Sequence, residues 1–472
     1  MRVLLAVARR ERRGWFLTKA PLFERIIHDM TEAQTSSRFF QIIEKIVGKL
    51  LPTAGPEQSI TAANRWSAAA LLLLTRAFLV SWPSVRSALA QDATKAPFRR
   101  GIGISHIMEW APVEKAFPTH FRYPPFSYPI VRFNKELEEL RRSGIDFVRF
   151  AVDPGPFLQW QGSRRDYLDQ MLIARVRQIQ SCGLSVIVDF HPSDMNSDYL
   201  ATKIAGGEET PLFKEYVLLL ARTAAALEAL KSPSVALEIM NEPPPPTNIW
   251  LPMLNAAYAA VRQSAPQLWI VLDGGEGGGN PAGTTKLDGF GSDPNILYSF
   301  HYYQPLQFTH QGFRGMAAQY LTDVPYPARA RPIEESIEAT AATLASSGLS
   351  PSEKQQAEVF TRYSLERYRA SSFDRATIRQ DFDKVARWAR DHSVPMQRVF
   401  LGEFGAMNNE QRGLVTRQAD RAHWFSDVRE EAEAQGFAWA AWVHSGSVGF
   451  SLVKEPGSPE LDPEMTRALG LD

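Results

Sequence analysis

From Phe98 onward the chain alternates two patterns. Short apolar runs rich in β-branched and aromatic residues are followed by longer stretches in which apolar residues return every three or four positions. The first pattern marks buried strands and the second amphipathic helices. Eight runs fit strands: GIGISHI from Gly101, FVRFAV from Phe147, SVIVDFH from Ser185, VALEIMNE from Val235, WIVLDG from Trp269, ILYSFHYY from Ile296, VFLGEFG from Val399 and FAWAAWV from Phe437. Stretches such as NKELEELRRSG, DYLDQMLIARVRQIQSCG and TIRQDFDKVARWARDH lie between them, and several stop at glycine, as helix C-termini do. Strands alternating with helices predict a parallel sheet. Eight such units predict an α/β fold of the (β/α)8 TIM-barrel type. No glycine-rich phosphate turn follows the first strand, which argues against an open doubly wound sheet. After the sixth strand the chain carries a long insertion, residues 306–372, partly helical, ahead of a barrel helix that starts near Thr377.

Residues 1–90 break this pattern and form an N-terminal leader, leaving 91–472 as the barrel domain. The start is basic, with RRERR at 9–13, and an apolar stretch runs from Trp66 to Trp82. Arg65 flanks that stretch, and Ala88-Leu89-Ala90 has the small-x-small form of a signal-peptidase site. Arg76 interrupts the apolar run, which makes it a poor membrane span. The expectation is an export signal cleaved before Gln91, a mature form with no stable membrane span, and a secreted or periplasmic protein. A signal ordinarily lies within roughly the first 15–30 residues, so either translation starts after Met1 or residues 1–64 are an unusual extension.

Composition narrows the partners. Lys+Arg and Asp+Glu are both 52, so the formal net charge is zero. Neither a nucleic acid nor an anionic membrane is favoured by that balance. A neutral polysaccharide or oligosaccharide fits it, and the eleven Trp offer flat faces on which sugar rings stack. Cys182 is the one cysteine, which excludes an intrachain disulfide and a cysteine metal site. A monomer without cofactor or metal is expected.

A TIM barrel carries its active site at the C-terminal ends of its strands, and strand side chains alternate with period two. On that parity Glu238, Met240 and Glu242 share a face, as do Val399, Leu401 and Glu403. Asp189 and His191 share another, as do Ser299, His301 and Tyr303. Arg149 in the second strand and Trp442 late in the eighth complete a set that can converge on one mouth. Glycoside cleavage needs a carboxylic acid to protonate the leaving oxygen and a carboxylate to meet C1. Glu242 and Glu403 fit those two parts. Arg149 and the Tyr303 hydroxyl suit an ionised Glu403. Asn241 is placed for a sugar 2-hydroxyl, His191 and His301 for hydroxyls or for tuning the acid, and Trp442 for stacking. A metal-dependent hydrolase would want His-x-His on the first strand, which has only His106.

LEIMNEPP at 237–244, VFLGEFGA at 399–406, FVRFAVDP at 147–154, VIVDFHPSD at 186–194, LYSFHYYQP at 297–305 and FAWAAWVHSG at 437–446 together resemble glycoside hydrolase family 5, the cellulase family, in the family's own order. The resemblance spans roughly 98–450. It implies a metal-free, retaining β-glycoside hydrolase with Glu242 as acid/base and Glu403 as nucleophile. It also implies Arg149, His191, Asn241, His301, Tyr303 and Trp442 as the supporting shell. Endoglucanase-like action on a β-glucan is the leading expectation. The alternatives are a β-mannanase, an exo-β-1,3-glucanase, or an inactive carbohydrate-binding barrel. The insertion carries Phe308, His310, Phe313, Tyr320 and Tyr326 near the exit of the sixth strand, so it is expected to wall one side of the cleft.

Overall fold

The computed structural model describes residues 96–471 apart from 277–280, 317, 409–413, 415 and 447–448. The leader assigned to 1–90 lies outside the described residues. Eight parallel strands close into a barrel in sequence order. They are β1 (Arg100–Met108), β2 (Phe147–Val152), β3 (Ser185–Phe190), β4 (Val235–Glu238), β5 (Trp269–Asp273), β6 (Ile296–Tyr302), β7 (Val399–Phe404) and β8 (Ala438–Ala441). β2 and β7 are buried along their whole length, as strands covered on both faces must be.

The outer ring holds α1 (Ile130–Arg142), α2 (Ser163–Ser181), α3 (Pro211–Glu228), α4 (Thr247–Ser264), then α5 (Ile333–Ala345) and α6 (Pro351–Ser371) in the insertion, and α7 (Arg375–Asp391) and α8 (Gln418–Gln435). Among the described residues, the β5–β6 connection has only a single turn of helix, Pro281–Thr284. α7 shows how local sequence sets an element. Asp374 accepts hydrogen bonds from the Ala376 and Thr377 amides at its start, and Ile378, Phe382, Val385, Ala386 and Ala389 form the buried stripe. α8 ends where Gly436 turns left-handed at φ 81°. In the insertion, Ser350 and Glu353 close a reciprocal capping box at the start of α6. No helix among the described residues is long and apolar enough to cross a membrane.

Two packed layers hold the barrel. The larger lies between strands and helices. The smaller fills the barrel's base with Phe147, Ile187, Ala236, Trp269, Val271, Leu297, Phe400, Ala438 and Ala440, closed from below by Phe98. Phe98 meets Phe147 and Trp269 edge-on, at centroid distances of 5.5 and 6.3 Å.

Candidate active site

Above the apolar base the barrel interior turns charged. Asp189 stands two residues above Ile187 on β3, Glu238 two above Ala236 on β4, and Asp273 two above Val271 on β5. Arg149, on β2, lies fully buried at the centre. Its Nε and Nη2 donate to the two oxygens of Glu238 at 2.8 and 2.6 Å, a bidentate pair. Nη2 also donates to Asn241 Oδ1 at 2.8 Å and lies 3.0 Å from Asp189 Oδ2, and Nη1 donates to Glu403 Oε1 at 2.6 Å. Burial and the neighbouring charge of Glu238 raise the Asp273 carboxyl well above its usual range.

Glu403 reaches this site by a route that strand parity does not give. Phe400 faces the barrel interior while Val399 and Leu401 face the helices, so strict alternation would turn Glu403 outward. The register shifts between Phe300 and His301 on β6, and between Leu401 and Phe404 against β8, and the irregularity turns Glu403 inward. Its Oε1 accepts from Arg149, and its Oε2 accepts from the Tyr303 hydroxyl at 2.7 Å. Burial alone would raise this carboxyl. His301, Arg149 and the Tyr303 hydrogen bond overcome it and hold the carboxyl below the ordinary range.

Parity also fails on β4. The strand ends at Glu238, and Met240 packs in the outer layer rather than below Glu242. The chain turns, and Glu242 sits at φ 42°, a left-handed conformation uncommon for a residue with a side chain. That turn aims its carboxylate at His301, whose Nδ1 donates to Glu242 Oε1 at 2.9 Å. The same Nδ1 is 3.6 Å from Glu403 Oε2. The nearest oxygens of Glu242 and Glu403 are therefore close neighbours, within 4.8 Å of each other.

The remaining sequence-assigned residues surround this pair. His191 stacks on Trp442 at a centroid distance of 5.3 Å and an interplanar angle of 13°. Its Nδ1 lies 2.8 Å from Asp189 Oδ2, and its Nε2 is 3.0 Å from Asn241 Nδ2. Because Arg149 holds the Asn241 oxygen, Nδ2 is the donor to Nε2, which fixes His191 as the neutral tautomer protonated toward Asp189. The surrounding carboxylates pull the other way and raise its pKa to about 10 against the effect of burial. A second proton would confront the Asn241 amide donor to donor, which keeps the ring neutral. Asn241 keeps one N–H for a ligand. Trp442 has its place because β1 offers no side chain at Gly103, where a Cβ would come within 2.6 Å of the indole.

Glu109 belongs to the site and escaped the sequence reading. It follows β1, is buried, and places Oε1 3.7 Å from His191 Nε2. Burial raises its pKa to about 8. Its signal was an acidic residue just past a barrel strand.

The insertion corrects another expectation. Phe308 is fully buried against Tyr326, whose hydroxyl donates to Asp427, so neither can line the cleft. His310 and Phe313 do approach the site, in a cluster with Phe450 in which His310 and Phe450 also contact Tyr303. Tyr320 is half-buried.

A family model described as Cellulase (glycosyl hydrolase family 5) matches residues 114–447. Endoglucanase 3 of Fibrobacter succinogenes is 24% identical over 346 residues, covering 70% of this chain and 47% of its own length. Cellodextrinase A of Ruminococcus flavefaciens is 25% identical over 179 residues, covering 38% of this chain and 53% of its own. The chain thus spans about half the length of the curated relatives it matches. Among solved structures, a hyperthermophilic endo-β-1,4-glucanase in complex with substrate superposes with a TM-score of 0.56 at 20% identity, over 80% of this chain and 98% of the other, a likeness of fold.

Proposed function

The chain belongs to glycosyl hydrolase family 5, the cellulase family, and from that premise we propose that it hydrolyses a β-linked glucan with retention of anomeric configuration, Glu403 attacking C1 and Glu242 serving as acid and then base. The observation that carries the reading is the spacing of the two carboxylates, whose nearest oxygens lie within 4.8 Å. Retaining enzymes hold these groups about 5–5.5 Å apart, whereas inverting ones leave roughly 6.5–9.5 Å for a water.

The surroundings divide the labour. Arg149 and Tyr303 occupy both oxygens of Glu403 as donors, which keeps it ionised and aimed. Glu242 meets the cleft at the end of β4 with its side chain about one-third exposed, where a leaving oxygen can reach it. His301 Nδ1 ties the acid to the nucleophile. The free N–H of Asn241 suits the 2-hydroxyl, whose hydrogen bond strengthens in the transition state, and Trp442 gives the sugar a flat wall.

Relatives named endoglucanase and cellodextrinase support a β-1,4-glucan as substrate. Reducing-sugar release from soluble cellulose derivatives, mixed-linkage β-glucan, β-mannan and laminarin tests this choice. The expected result is fastest turnover on a β-1,4-linked glucan. Preference for mannan or laminarin would move the substrate within the family, and no release from any of them would contradict hydrolysis.

A further inference from the structure

A second cluster of donor groups lies on the opposite side of the strand wall from the two carboxylates. His106, near the end of β1, turns toward α1, where its Nε2 meets Glu136. Glu136 sits on the buried face of α1, among Phe133, Leu137 and Leu140, where a charged side chain is out of place unless partnered. His444 follows β8 and is fully buried. One donor atom from each of the three lies within 4.8 Å of the other two.

The hydrogen bonds of these groups leave basic atoms free. His444 Nε2 lies 3.2 Å from the Pro459 carbonyl, so it carries the proton, and Nδ1 is a bare lone pair. That Nδ1 is buried and has no partner among the described residues. His106 Nε2 is 3.0 Å from Glu136 Oε2, and its Nδ1 is likewise buried and unpartnered among the described residues. The Tyr128 hydroxyl donates to Glu136 Oε1 at 2.5 Å, with the half-exposed Arg132 3.4 Å from the same oxygen. Oε2 is thus the oxygen turned toward the imidazoles. The two rings lie 5.8 Å apart between centroids.

We propose that His106, Glu136 and His444 form a binding site for a borderline divalent transition metal, best suited to Zn²⁺. Two imidazoles and one carboxylate are a common ligand set for that ion. Two of the three outer contacts match: ligating histidines usually donate their other N–H to a carbonyl or carboxylate, and ligating carboxylates are themselves hydrogen-bonded. Pro459 supplies that contact for His444 and Tyr128 for Glu136, while His106 faces Glu136 itself. The role is structural. β1 pairs with β8 where the barrel closes, and the His444 amide donates to the Gly103 carbonyl at 2.9 Å. A metal here staples the first strand, α1 and the segment after the last strand across that seam. Trp442 stands two residues before His444, so the staple also steadies the aromatic wall of the cleft.

The test is Zn²⁺ binding by the chelator-stripped protein, followed by calorimetry, by metal analysis after gel filtration and by thermal unfolding. One Zn²⁺ per chain and a raised Tm are expected. His444→Ala should abolish both effects. Tyr128→Phe, a gentler change, should weaken binding by roughly 10–100-fold, as loss of an outer contact does. Glu403→Gln is the control for the other reachable cluster, Glu242, His301 and Glu403, and it should bind Zn²⁺ as the wild type does. If the His444 variant does not fold, anomalous diffraction from Zn²⁺-soaked wild-type crystals decides, with one peak expected between His106, Glu136 and His444. No binding by the wild type, loss of binding in Glu403→Gln, or a peak at Glu242 and Glu403 instead would each overturn the proposal.

Discussion

Glu403→Gln is expected to lower kcat on the order of 10⁴-fold or more while the circular dichroism spectrum and chromatographic behaviour stay those of the wild type. A nucleophile that forms the covalent intermediate cannot be replaced by its neighbours, and removing such groups elsewhere has effects of this size. The carboxamide is nearly isosteric and can still accept from Arg149, so folding should survive. Glu242→Gln should behave differently. With a polysaccharide the leaving oxygen needs a proton, and the loss should be about 10²–10⁴-fold. With an activated aryl β-glycoside the first step needs little acid assistance, but the second still lacks its base. A burst of roughly one aryl alcohol per enzyme, followed by slow turnover, is the signature. Near-normal turnover of Glu403→Gln, or no burst with the aryl β-glycoside for Glu242→Gln, would show the roles to be wrongly assigned.

Arg149→Met should harm both stability and chemistry. In the wild type Arg149 is wholly buried and bonds Glu238, Glu403 and Asn241 at once. Taking away one partner of a buried ion pair leaves uncompensated charge, at a cost of about 3–5 kcal/mol. Chemical denaturation should show a loss of that size. The pH profile gives a second readout. Glu403 has its pKa depressed in the folded state, so its contribution to stability is present above the ordinary carboxylate range and is lost as pH falls through that depressed value. The acid limb of kcat/KM in the wild type should accordingly lie below the usual range for glutamate, about 4.3. Without Arg149 the limb should move to higher pH, because one of the charges that offset burial is gone. A variant with wild-type stability and an unmoved limb would contradict this account of Arg149.

The barrel was legible in the sequence because its strands are buried on both faces and stand out as continuous apolar runs between amphipathic helices. That these side chains meet at one mouth was legible because chemistry-bearing residues cluster where those runs end. Strand parity was the weaker guide. It placed Asp189, Ser299 and His301 correctly in the barrel interior, yet the reasons it gave for Glu403 and Glu242 were wrong. Glu403 turns inward through a register shift, and Glu242 through a left-handed turn, neither of which alternation can express. The insertion failed in a similar way. Nearness in sequence to the sixth strand put Phe308 and Tyr326 beside the cleft, whereas both are consumed in packing against the barrel. Glu109 was missed because its place beside His191 is a long-range fact. The outer cluster of His106, Glu136 and His444 was hidden for the same reason: its members are far apart in sequence and meet only where the barrel closes.

The stereochemistry of the first product tests the central claim most directly. Proton NMR of a digest of a reduced β-linked oligosaccharide, recorded within minutes of adding enzyme, separates the α and β anomers before mutarotation mixes them. Two carboxylates with oxygens within 4.8 Å should act by double displacement. The β-anomer should therefore appear first and decay toward equilibrium. The α-anomer appearing first would mean that a water attacks directly, and Glu403 could not be the nucleophile.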